Sequence, residues 1–174
     1  LSQIVAHVSS NCYGGVTLPE LTTGLTPYMK KSWNKHYAIA QKWIGSDQQK
    51  CEEYAWERLT KETYDACQSM EYEIQTLTNS RGEVPFITLE LNTVDLNADE
   101  FDKRCQEIFI SSYLAIRTKG LTGGLTPVFP KLVMEVRRGN NLEKNDPYYH
   151  IFKQAVKCSS LRLYPDFLMY DKIV

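Results

Sequence analysis

Gly124 to Asn141 reads GLTPVFPKLVMEVRRGNN, and the reading of its proline decides the fold. Val128 to Val136 alternates as a strand does, with Leu132, Met134 and Val136 on one side. Pro130 lacks a backbone donor and Lys131 carries a charge, so neither suits the middle of a sheet. Proline is tolerated early in a strand, where the first donor needs no ladder partner, so Pro130 starts this strand rather than interrupting it. Lys131 keeps two readings: a rim residue that snorkels to solvent, or a charge directed at an anion.

Working outward, Val84-Pro85-Phe86-Ile87-Thr88-Leu89-Glu90-Leu91 shows the same alternation, again with an early proline. Between the two stretches, Phe101, Cys105, Ile108, Phe109, Ser112 and Ile116 recur at helical spacing. Asn97 with Glu100 is the expected cap of that helix, and Lys119-Gly120 its stop. Strand, helix and strand make a βαβ unit, so the strands are expected to be parallel and joined by a right-handed crossover. Asp146-Pro147 predicts the start of one more helix, ending near Tyr164-Pro165.

Upstream the pattern is helical. Leu1, Ile4, Val5, Val8 and Cys12 form an apolar stripe that ends at Gly14-Gly15. Thr17-Leu18-Pro19-Glu20 has the form of a capping box for a second helical region, broken before Pro27 and closed at Gly45-Ser46-Asp47. From Gln49 to Leu77, Trp56, Leu59, Thr63, Cys67, Met70, Ile74 and Leu77 alternate spacings of three and four, the stripe of a long helix packed on a sheet or on other helices. The expected fold class is α/β: a helical half over residues 1–80, then β-α-β-α over 81–174, forming a single unit. The stripe that already begins at Leu1 and the apolar end of LYPDFLMYDKIV predict a piece cut from a larger protein.

The 174 residues and 43% hydrophobic content suffice for one core. Twenty basic against 21 acidic residues leave a formal charge of −1, which argues against nucleic acid or anionic lipid as partner. No apolar run approaches the roughly 20 residues of a membrane span, and a cytoplasmic location is expected. Five cysteines, Cys12, Cys51, Cys67, Cys105 and Cys158, are odd in number and far apart, hence reduced thiols without the spacing of a zinc site. His7, His36 and His150 have no second ligand nearby in sequence, so no metal is expected. His7 and Cys12 point to different helix faces, and Cys158 reads as a small core residue. Glu52-Glu53, and Glu71 with Glu73, read as solvated helix faces. Gly123-Gly124 lacks the remainder of a phosphate loop. The residues alone give an α/β domain with no self-contained active site and no catalytic residue.

The ordered segments QIVAHVSSNCYGGVTL, LTPYMKKSWNKH, YDACQSMEYEIQTL, VPFITLEL, VFPKLVMEVRRGNNLEKNDPYY and SSLRLYPDFLMYDKIV nevertheless resemble the anaerobic ribonucleoside-triphosphate reductases, a glycyl-radical family, over nearly the whole chain. The resemblance implies a central piece of a longer enzyme built on a ten-stranded α/β barrel of two parallel half-sheets. It also implies reduction of ribonucleoside triphosphates to deoxyribonucleoside triphosphates by radical chemistry, commonly with formate as electron source. The cofactors implied for the parent are a glycyl radical, zinc, and ATP or deoxynucleotide effectors. A separate activase, carrying an iron-sulfur cluster and S-adenosylmethionine, would generate the radical. The radical cysteine is expected after Val174, another substrate-side cysteine before Leu1, and the radical glycine and zinc-binding cysteines near the far C-terminus. Such chemistry needs a dry, enclosed barrel, so this piece alone is expected to be inactive.

By the same resemblance, helices of this region pair across a homodimer and bind the deoxynucleotide that selects the substrate base. Gln3 and Lys35 match the polar and basic positions of that effector site: an amide able to read a base, and a point charge for a phosphate. Arg81, Gly82 and Glu83, with Lys131, are the candidate substrate-side loop. Many relatives carry Asn-Gly-Gln-Thr-Pro-Phe where this chain has Arg81-Gly82-Glu83-Val84-Pro85-Phe86, an exchange that bears on nucleotide contacts. The alternative reading is a non-catalytic regulatory or interaction domain derived from the same architecture. A cut barrel is also expected to expose apolar strand faces and edges and to self-associate.

Overall fold

A computed structural model describes residues 2–11, 15–76, 82, 84 and 86–172. In chain order the elements are α1 (Ser2–Asn11), β1 (Val16–Leu18), α2 (Leu21–Gly24), α3 (Thr26–Ile44), α4 (Gln48–Thr76), β2 (Ile87–Leu91), α5 (Glu100–Lys119), β3 (Lys131–Val136), α6 (Tyr149–Arg162) and β4 (Asp166–Met169). The four strands form one parallel sheet in the order β1-β2-β3-β4.

Strand order equal to chain order has a structural consequence. Successive crossovers of one hand then place every connecting helix on the same face of the sheet. Ile87, Leu89 and Leu91 of β2 and Leu132, Met134 and Val136 of β3 are buried on that face, with the core residues of α5 and α6. Thr17, Thr88, Glu90, Lys131, Val133, Glu135, Asp166 and Leu168 take the alternate positions, and none is buried. No described element covers this second face. It is mainly polar, which corrects the expectation of exposed apolar strand faces, whereas β4, the last strand of the described sheet, does expose Phe167 and Leu168.

Two strands escape the sequence reading. Thr17 lies in β1, not in a helix cap, and Glu20, with φ of 52°, precedes α2 without a side-chain cap. β1 is held by pairing: Val16 N–H donates to the Phe86 carbonyl at 2.9 Å. Gly15, with φ of 90°, permits this approach, since a Cβ there would lie 2.6 Å from the Phe86 oxygen. β4 pairs with β3 beyond Pro165. Asp99, rather than Asn97, caps α5, its carboxylate accepting the Asp102 N–H at 2.8 Å. Asp146-Pro147 lies in a turn, and α6 begins at Tyr149.

The opening proline behaves as expected, since β3 starts at Lys131 and Pro130 precedes it. What fixes this approach is Arg117 of α5, whose side chain is fully buried. Its guanidinium donates to the carbonyls of Pro127 at 3.1 Å and Pro130 at 2.6 Å. It also donates to Glu71 Oε2 of α4 at 3.1 Å, while its Nε lies 2.8 Å from Glu71 Oε1, a charge contact out of line for a hydrogen bond. Tyr113 completes the group through a 2.9 Å hydroxyl bond to the same carboxylate. Glu71 is therefore a buried core group, which corrects its reading as solvated. Burial pushes the Glu71 carboxyl above its ordinary value, with the Arg117 charge and the Tyr113 hydroxyl opposing.

Candidate functional site

The helical layer is built from α3 and α4 with α5 beneath. Trp33, Trp56 and Phe101, one from each helix, meet with ring centroids 4.8–5.7 Å apart. Where α1 lies against α4, a cleft of about 640 Å³ opens between α1, α3 and α4. Its wall is largely apolar, including Ile4, Met29, Leu59 and Met70, and its polar groups are few: Gln3, Ser32, Glu62, Thr63 and Glu73 among them. An apolar recess with a few placed polar groups is the usual form of a small-molecule site.

One node organises that polar set. Glu62 Oε2 accepts the Ser32 hydroxyl at 2.6 Å and lies 2.6 Å from Nε2 of the buried His36. The Ser32 bond first, then His36, hold the Glu62 carboxyl below its ordinary value of 4.5; the nearby Lys35 charge also contributes. The sign of the linkage is that of a depressed acid. The contribution of Glu62 to stability is complete above the ordinary value and is lost as pH falls through the lower folded value. Glu62→Gln should accordingly flatten the acid limb of the stability profile below about pH 4.5, read as urea midpoints from about pH 6 down to about pH 3. An unchanged acid limb would remove Glu62 from this role.

The cleft takes one predicted effector residue directly. Gln3, exposed on α1, lines it, whereas Lys35 stands exposed on α3 one turn beyond Ser32 and reaches the cleft only through its charge on Glu62. Of the predicted substrate-side loop, Arg81 and Glu83 lie outside the described residues and Gly82 is exposed. Lys131 sits elsewhere, exposed at the start of β3, beside Thr88, with its ammonium 5.7 Å from the Tyr164 ring centroid. Ser32, His36 and Glu62 were missed as a group. The available signal was the LTPYMKKSWNKH segment itself, where Ser32 and His36 are four apart and so share a helix face.

No group of three potential metal ligands exists among the described residues. Burial pushes the thiols of Cys67 and Cys105 up to about 12 and raises that of Cys158, so all three stay protonated and unreactive near neutral pH. The described residues thus assemble no ligand set for zinc. No described helix is long and apolar enough to cross a membrane.

The family model described as anaerobic ribonucleoside-triphosphate reductase matches residues 1–173. Proteins of that name from Enterobacteria phage T4, Haemophilus influenzae and Escherichia coli are each 40% identical to the chain, over 97–99% of its length. The chain spans only about a quarter of these relatives, 26% of the phage protein and 23% of each bacterial one. A match this continuous, over 97–99% of the chain, makes the chain a member of the anaerobic ribonucleoside-triphosphate reductase family.

Proposed function

We propose that this chain supplies the effector-binding helices and part of the barrel wall of an enzyme that reduces ribonucleoside triphosphates to deoxyribonucleoside triphosphates. The observation that supports the reading is the α1-α3-α4 cleft, whose wall includes Gln3, Ser32 and Glu62, the last hydrogen-bonded to Ser32 and His36 and within reach of the Lys35 charge. In this reading Gln3 exchanges hydrogen bonds with the effector base, and Lys35 offsets the charge of its phosphates. Ile4 and Tyr28, 68% and 72% exposed beside the cleft, give a second copy an apolar contact, so a homodimer closes the site.

The sheet contributes the other half of the proposal. A parallel sheet in sequential order with one uncovered face fits half of a ten-stranded barrel. The Arg81-Gly82-Glu83 loop and Lys131 belong to its substrate side. A glycyl radical made by a separate activase would supply the radical chemistry in the complete cytoplasmic enzyme. This chain's own residues bind and orient, and its buried thiols take no part.

Calorimetric titration with dATP, dGTP, dTTP and ATP tests the effector site. Saturable binding that Lys35→Ala weakens by about 1–2 kcal/mol is expected, the magnitude of a charge-assisted contact. Unchanged affinity in a folded Lys35→Ala dimer would remove Lys35 from the site.

A further inference from the structure

The turn that leaves β3 is held more firmly than a surface connection requires. Asn141, 1% exposed, accepts the Arg137 N–H at 2.9 Å and donates to the Glu135 carbonyl at 3.0 Å. Asn140, 3% exposed, donates to the Val94 carbonyl at 2.7 Å, and its own carbonyl accepts the Tyr148 N–H at 3.0 Å. Arg138 N–H donates to the Asp171 carboxylate at 2.9 Å. Three neighbouring segments thereby clamp one short turn: the exit of β2, the approach to α6 and the exit of β4.

The clamped turn displays two exposed guanidinium groups. Arg137 rests 4.5 Å from the Tyr170 ring centroid, and among the described residues neither Arg137 nor Arg138 has an ion-pair partner. Two acids beside the turn are engaged with backbone donors: Glu135 accepts the Thr93 N–H at 3.2 Å, and Asp171 the Arg138 N–H. The turn also stands at the carboxyl ends of parallel strands, where open α/β sheets commonly bind ligands, and so at the end of the sheet opposite Lys131.

We propose that the Arg137-Arg138 turn is an anion site for the phosphate groups of a nucleoside polyphosphate, with Arg137 pre-set on Tyr170 as its principal contact. A guanidinium offers paired donors matched to phosphate oxygens, and holding it in place beforehand lowers the entropy lost on binding. The choice of a nucleoside polyphosphate rests on the proposed reductase reading; the anion site itself rests on the turn. It is separate from the α1-α3-α4 cleft, whose lining includes neither arginine.

The test is calorimetric titration of the Lys35→Ala chain with inorganic tripolyphosphate, so that the cleft's cation makes no contribution. Saturable binding is expected, weakened about tenfold or more by Arg137→Gln and less by Arg138→Gln. Lys144→Gln, an equal loss of charge at another exposed position, should change affinity by less than about twofold. No binding, no effect of Arg137→Gln, or an equal effect of Lys144→Gln would each overturn the proposal. Parallel titration of Arg137→Gln with dATP reads the effector cleft separately, so failure of one site is distinguishable from failure of the other.

Discussion

Arg117→Met is expected to destabilise the fold by about 3–5 kcal/mol, because removing one member of a buried ion pair leaves the other charge uncompensated. Methionine fills much of the volume but restores none of the bonds from Arg117 to Glu71, Pro127 and Pro130. Glu71 would keep only the Tyr113 hydroxyl. The loss should depend on pH in a definite direction. Burial already raises the Glu71 carboxyl, and without Arg117 its folded value climbs further above the ordinary 4.5. A raised acid binds its proton more tightly when folded, so the variant loses stability as pH rises from about 4.5 through the new folded value. Adding Glu71→Gln should recover part of the loss and flatten that slope. Urea denaturation across pH checks both claims; a loss below about 1 kcal/mol would mean that the pair does not hold the approach to β3.

The second large effect separates the two faces of the sheet. Leu89, fully buried in β2, is flanked in register by Leu18 and Leu132, so Leu89→Ala should cost about 2–5 kcal/mol through lost burial and the cavity left behind. Val133→Ala, on the face that no described element covers, should cost less than about 1 kcal/mol. Equal losses at the two positions, measured by chemical denaturation, would show that the second face is packed after all.

The long elements were legible because their periods were unbroken. Ile87, Leu89 and Leu91 all face the core as their alternation requires, and α4 follows its apolar stripe from Leu59 to Ile74. β1 was not legible: three residues are too few to show a period, and Thr17 with Glu20 imitates a cap that pairing with β2 overrides. β4 is an edge strand whose first three residues are exposed, so it lacks the alternation of a strand with one packed face. Glu71 carried a weaker signal. It stands four residues after Cys67 and three before Ile74, squarely on the buried stripe, while Arg117 follows Tyr113 by four on α5. Two opposite charges on two apolar stripes foretell a buried pair only if the helices are known to face each other, and that is a tertiary fact. For the site, only the resemblance singled out Gln3, and the structure sets that residue in the cleft wall. The Ser32-Glu62-His36 node needed the packing of α3 on α4, and the Arg137 turn needed the positions of β2, β4 and α6.

The most direct test of the effector reading is hydrogen exchange with and without saturating dATP, dGTP or dTTP. Slower exchange is expected in Ser2–Asn11, Thr26–Ile44 and the part of Gln48–Thr76 that lines the cleft, because a ligand that binds only the folded helices suppresses their opening. Unchanged exchange in those helices of a folded dimer, or protection confined to the sheet, would contradict it.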